Sequence, residues 1–198
     1  MFYDAVKNNH GLPSDPFKAI VAPRPIGWIS SLSPAGMANL APYSFFNAMS
    51  EYPHYVVFGA GGGKDSESNI TATGEFAVNL ATFDLREQMN ISSATVGSGV
   101  DEFELAGLAK ASCRLISVPR VAASPVCLEC RLHQIVPLPG EAGGNSYAMI
   151  IGRVVGIHID DRFIHEGRVD TAAMQPITRL GYSEYATVTE AWRLRRPA

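Results

Sequence analysis

The chain has 198 residues, 46% hydrophobic and 18% charged, with a formal net charge of −3. That length suits one domain, 1–198, with a sizeable core, and with no basic cluster beyond Arg193, Arg195 and Arg196 the electrostatic footprint of nucleic-acid binding is missing. No run approaches the ~20 uninterrupted apolar residues of a membrane span, and the first ten residues lack an apolar signal core, so a small-molecule protein of the cytoplasm is expected.

The first strand-like run, 26–32, follows Ala22-Pro23-Arg24-Pro25. It ends at Ser33-Pro34-Ala35-Gly36, whose chemistry predicts a hairpin turn into a second strand at 37–40. Over 39–50 the alternation breaks, and Pro42 stands among paired aromatics and small polar residues. Such a piece holds exposed backbone against something planar or against another subunit, and a buried irregular segment explains it equally well. A third strand at 55–58 runs into Gly59, Gly61, Gly62 and Gly63, then Lys64.

This glycine-rich loop is not the phosphate loop of nucleotide hydrolases. That motif needs a glycine where Phe58 stands and a hydroxyl where Asp65 stands. Local physics still favours an anion: a short helix is predicted over 66–73, with Asp65 or Ser66 at its cap and Gly74 just past its end. Free N–H groups at a helix start beside a lysine ammonium and a serine hydroxyl suit a phosphate dianion. An ordinary capped helix after a flexible loop is the alternative.

Further strands are predicted at 76–80, 113–118, 126–136 and 147–159, and a second short helix at 84–92. Gly152 and Gly156 inside the last strand suggest a bend or bulge. Cys127 and Cys130 form a C-x-x-C, but residues three apart on a strand face opposite sides, which opposes a shared metal or a disulfide. His10, His54, His133 and His165 give no ligand pattern, and no nucleophile spacing is present. Neither a metal site nor a catalytic residue is assigned. For His158 a structural role and a catalytic one both remain open. Close turn signals and few helices argue for a mainly β fold, an antiparallel barrel or sandwich with helices set against it.

Taken in order, several pieces resemble the flavin reductase-like, FMN-binding split-barrel family. They are Arg24-Pro25, a strand ending in Ser30-Ser31, a turn with Gly36, Asn39-Leu40-Ala41-Pro42-Tyr43-Ser44-Phe45-Phe46-Asn47, Lys64-Asp65-Ser66, Asn69-Ile70 and Thr73-Gly74-Glu75-Phe76. The segments 152–161 and 179–186 and the tail 195–197 resemble the family's closing pieces.

The resemblance implies an antiparallel split β-barrel with a few short peripheral helices and FMN as cofactor. Lys64, Asp65 and Ser66 would surround the phosphate, Ser30 and Ser31 would meet ribityl or phosphate oxygens, and Asn39 the sugar-like chain. Backbone groups over Ala41, Pro42, Tyr43, Ser44, Phe45, Phe46 and Asn47 would face the pyrimidine edge. Trp28 is assigned either to the ring or to the core, and Arg24 either to the phosphate or to a salt bridge. The family pairs two barrels, so a homodimer with flavin at the subunit interface is expected. A monooxygenase or electron-transfer protein is a candidate partner.

Relatives that use NAD(P)H carry Gly-Asp-His before the long strand, where this chain has Gly144-Asn145-Ser146-Tyr147. Tyr147 would stack or hydrogen-bond in place of that imidazole. The expected activity is hydride transfer from NAD(P)H to flavin, and the alternative is an FMN-bound electron carrier reduced by a protein partner.

Overall fold

The computed structural model describes residues 1–141 and 146–197; Gly144 and Asn145 lie outside the described residues. Seven strands form one sheet: β1 (Gly27–Leu32), β2 (Ala38–Tyr43), β3 (Phe46–Ser50), β4 (Tyr55–Gly61), β5 (Glu75–Leu80), β6 (Val126–Leu138) and β7 (Tyr147–Ile159). Their order is β2-β1-β5-β6-β7-β4-β3, and every pairing is antiparallel. The two edge strands, β2 and β3, are consecutive in the chain and meet at the Ser44–Phe45 corner. No ladder joins them, so the barrel is split there.

The sheet is curled, because Ile29 of β1 and Phe58 of β4, four places apart in strand order, belong to one buried cluster with Phe76, Cys130 and Ile150. Cys127 belongs to a different cluster, with Ala77, Ile116 and Val118 on the outer face. The two thiols of the C-x-x-C thus face opposite sides of β6, as strand geometry requires. Among the described residues no group of His, Cys, Asp or Glu side chains could hold a metal ion, and no helix is long and apolar enough to cross a membrane.

Helix α1 (Asp65–Thr73) packs against β1 and sends Ile70 into the inner cluster. Gly74 closes it at φ 73°, the left-handed C-terminal position that glycine favours. The cap position is Lys64, not Asp65 or Ser66, and no side chain caps the start. A 3-10 turn at Phe83–Leu85 leads into α2 (Arg86–Ile91), and α3 (Glu102–Leu105) follows. Their Met89 and Phe103 cover Trp28 and Leu40 on the outer face of β1 and β2.

Two expectations are corrected. Residues 39–50 are mostly strand, with only Ser44 and Phe45 irregular; Pro42 is tolerated because β2 is an edge. Residues 113–118 form no strand. The backbone there is held by side chains of the outer face: Glu129 accepts from the Arg114 and Leu115 N–H groups at 2.8 and 2.6 Å, and Glu75 from Ser117 N–H at 2.8 Å. Farther along, Ser30 Oγ donates to Pro119 O at 2.7 Å. An apolar alternation packed on a sheet face satisfies its polar groups here without a neighbouring strand.

The ladder between β6 and β7 shifts register at both glycines of β7: beside Gly152 the extra residue is His133 of β6, and beside Gly156 it is Val155 of β7. A Cβ on Gly152 would fall 2.2 Å from Phe76 Cζ, so the Phe76 ring occupies the space a side chain would need.

Candidate functional site

A cavity of about 750 Å³ opens beside the split. One wall is β2 and its corner, with Asn39, Ala41, Pro42, Tyr43, Ser44 and Phe45; the facing wall is the end of β4 and the start of α1, from Gly61 to Ser66. β2 is an edge strand; of its outward backbone groups the Leu40 N–H is taken by Glu102 and Pro42 has no N–H, so the edge facing the cavity offers a carbonyl. The aromatic rim is Phe45 and Tyr147, 38% and 42% exposed, with ring centroids 6.4 Å apart. Gly59 N–H donates to Phe45 O at 2.7 Å and Gly62 N–H to Ser146 O at 2.9 Å, which fixes both rim elements on β4.

The start of α1 forms part of the cavity wall. Its first N–H groups have no partner within the helix, no side chain caps them, and Lys64 is exposed at the cavity wall. Gly63, at φ +78°, turns the chain onto the helix with a backbone conformation that side chains disfavour. The Ser66 hydroxyl is engaged, since it donates to Asn39 Oδ1 at 2.7 Å.

Asn39 in turn donates through Nδ2 to both oxygens of Glu102 at 3.1 Å, and the Leu40 N–H donates to the same carboxylate at 2.9 Å. Glu102 is 4% exposed and lines the cavity. Burial pushes its carboxyl up from the usual range, opposed by the Leu40 and Asn39 hydrogen bonds. Burial likewise pushes up the Tyr43 phenol, with Asp65 and Glu102 adding to the effect.

The expected site residues divide. Asn39, Ala41, Pro42, Tyr43, Ser44, Phe45, Lys64, Asp65 and Ser66 line the cavity. Trp28, Ser30 and Ser31 are completely buried. Trp28 packs in the outer-face core rather than over the cavity and donates from Nε1 to Ser92 Oγ at 2.9 Å. Ser31 Oγ accepts from Asn69 Nδ2 at 3.2 Å. Arg24, Phe46 and Asn47 border a separate hollow behind the corner. The Arg24 guanidinium grips backbone carbonyls of Lys18, Val21 and Leu180 instead of a phosphate or a carboxylate. His158 lies in another hollow, with Arg114 and Arg120.

Several lining residues escape sequence reasoning: Ser92, Ser93, Thr95 and Ser98 after α2, and Glu102 on α3. The run of small hydroxyl residues over 92–98 was the available signal.

The family model described as "Flavin reductase like domain" matches residues 21–173. Nitrilotriacetate monooxygenase component B from Bacillus cereus superposes with a TM-score of 0.85 at 30% identity, over 94% of this chain and 96% of that one. Pseudomonas fluorescens 2-nitrobenzoate 2-nitroreductase gives 0.86 at 29% identity, over 100% and 96%. A Shewanella frigidimarina protein with a split barrel domain gives 0.85 at 20% identity, over the full length of both chains, a likeness of fold alone. The curled sheet, the opening between β2 and β3 and the match over 21–173 agree: this chain belongs to the flavin reductase like domain family, with its split-barrel fold.

Proposed function

We propose that the protein binds FMN in the cavity beside the split and acts as a flavin reductase-like oxidoreductase using NADH or NADPH. One observation carries the reading: the uncapped start of α1 with Lys64 stands at one wall of the cavity, and the free edge of β2 at Ala41–Tyr43 forms the other. A phosphate dianion suits the first; a flat ring with a polar edge suits the second. Lys64 and the N–H groups of the first turn would hold the phosphate, while Asp65 and the engaged Ser66 hydroxyl shape the turn. The outward Pro42 carbonyl of β2, with Ser44, would orient the ring.

When bound, FMN supplies an acceptor for a hydride from a nicotinamide. The chain's own part is positioning. Phe45 and Tyr147 form an apolar, partly exposed rim against which a second planar ring can stack. Tyr147 thus stands in for an imidazole at the nicotinamide side. Phe45 at the rim and Met49, 57% exposed farther along β3, leave apolar surface along this edge of the sheet, and a second copy of the chain covering it would make a homodimer with flavin at the seam. The Bacillus cereus neighbour is a monooxygenase component and the Pseudomonas one a nitroreductase, which supports onward electron delivery to a partner or an acceptor.

The test is an absorbance spectrum of protein loaded with FMN, before and after anaerobic NADH and NADPH. Bound flavin that bleaches with either supports the reductase. Bound flavin that both leave oxidised supports an electron-transfer protein reduced by a protein partner. No uptake of FMN refutes the cavity assignment.

A further inference from the structure

On the outer face of β6 and β7, far along the strands from the Tyr147 rim, the side chains carry an arrangement that folding alone disfavours. Arg131 and Arg153 are direct cross-strand partners, so both guanidinium groups rise from one face as nearest neighbours, and like charges so placed destabilise a sheet. Glu75 stands across from Arg131 on the other side, and Tyr55 across from Arg153. Glu75 forms an ion pair with Arg131, Oε1 to Nε 3.9 Å, while its Oε2 accepts from Ser117 N–H at 2.8 Å, and β6 lies between it and Arg153. Arg131 also donates from Nη2 to Leu115 O at 3.3 Å, which orients it. Among the described residues, no ion pair includes Arg153.

A hollow of about 630 Å³ lies over this pair, and no carboxylate lines it. His133 stands two residues on from Arg131 and so shares its face of β6, at a bulge where pairing passes from Gln134 with Ile151 to Leu132 with Gly152 and leaves His133 as the extra residue. Bulges re-aim side chains. The His133 ring rests edge-on against Tyr55, centroids 4.9 Å apart, as an aromatic wall of the same hollow. Its lining shares no residue with the cavity beside the split.

The geometry points to a second binding site, in which Arg131, Arg153 and His133 hold a phosphate-type dianion, either the free ion or the monoester of a small planar molecule. Two guanidinium forks side by side match the oxygens of a phosphate, and the bonds are charge-assisted. A bound dianion would also cancel the Arg–Arg repulsion. For an ester, the Tyr55 and His133 rings give the organic group a surface to lie on.

Thermal unfolding in inorganic phosphate, against chloride of matched ionic strength, tests the site. Wild type should melt higher in phosphate. Arg153→Gln should do two things: melt higher than wild type without phosphate, because the repulsion is gone, and respond to phosphate only at concentrations about tenfold or more higher, the loss expected for one charge-assisted contact. Arg168→Gln, at an exposed arginine that does not line this hollow, should keep the full response. Adenosine monophosphate separates the two sources: saturation at lower concentration than phosphate, with shifted His133 and Tyr55 ring protons, identifies an ester, and no advantage over phosphate identifies the free ion. Equal melting in phosphate and chloride, a response that survives Arg153→Gln, or a variant less stable than wild type without phosphate would each overturn the assignment.

Discussion

The Ser66 hydroxyl donates to Asn39 Oδ1 at 2.7 Å, so the first turn of α1 is fastened to the edge strand β2 across the cavity. The same carboxamide serves Glu102 through its nitrogen, and all three side chains are buried. Asn39→Ala leaves a hydroxyl and a carboxylate short of partners, each costing about 1–3 kcal/mol. Urea denaturation should show a loss of about 2–6 kcal/mol by that reckoning, and FMN affinity should fall with it because the helix start is no longer fixed. A variant as stable as wild type would show that the network carries no load.

Lys64 tests the phosphate end without disturbing the core. It is exposed and makes no ion pair among the described residues, so Lys64→Ala should leave stability unchanged. FMN binding should weaken by about 1.5 kcal/mol, the lower end for a charge-assisted hydrogen bond, since solvent screens the ammonium. Fluorescence titration of FMN gives the number directly. Unchanged affinity would remove the lysine from the site and leave only the helix start.

How much of this was legible in the sequence depends on the range of each interaction. The β7 boundaries were readable to the residue, because a long apolar alternation has one reading and its two glycines mark the register shifts against β6. Asn39 and residues 41–45 and 64–66 lie in short contiguous motifs, and the fold brings them to the wall of one cavity. Glu102 was not legible: it reaches Asn39 across 63 positions, and nothing local distinguishes it from a solvated glutamate before a short helix. Arg24 misled for the same reason. A buried guanidinium attracts an anion in sequence reasoning, yet the carbonyl of Leu180, 156 positions away, is what it meets. The segment 113–118 has a strand's alternation, but Glu129 and Glu75, distant in sequence, take its N–H groups. Periodicity reports which face is buried and cannot report what satisfies the backbone.

Gly152 is a site where one methyl group should matter. Its Cβ would stand 2.2 Å from Phe76 Cζ and 2.6 Å from Cε1, and the ring is packed edge-on against Phe58 with centroids 5.6 Å apart. The ring is fully buried, so it has little room to retreat, and overpacking costs about 1–3 kcal/mol. Gly152→Ala should therefore lower stability by an amount at the upper end of that range. Phe76→Leu, destabilising by itself, should recover part of the loss in the double variant, because the two positions share one volume. Strict additivity of the two changes would mean that the clash is relieved by a backbone shift instead.

His158 offers a pH signature independent of the cavity. It stands on β7 opposite Cys127, and burial foremost, then the Arg120 guanidinium, holds its imidazole below the ordinary value of 6.5, with Arg114 acting the same way and Asp160 and Asp161 opposing. A lowered value means that the fold prefers the neutral ring, so its contribution to stability is complete above the unfolded value and is lost as pH falls through the folded one. Between about pH 7.5 and about pH 5 wild type should lose more stability than His158→Gln, which has no proton to take up. Arg120→Gln should move the His158 midpoint upward in an NMR titration, by removing the larger of the two cationic neighbours. A midpoint at or above the ordinary value in wild type, or one indifferent to Arg120, would contradict the burial and charge that surround this ring.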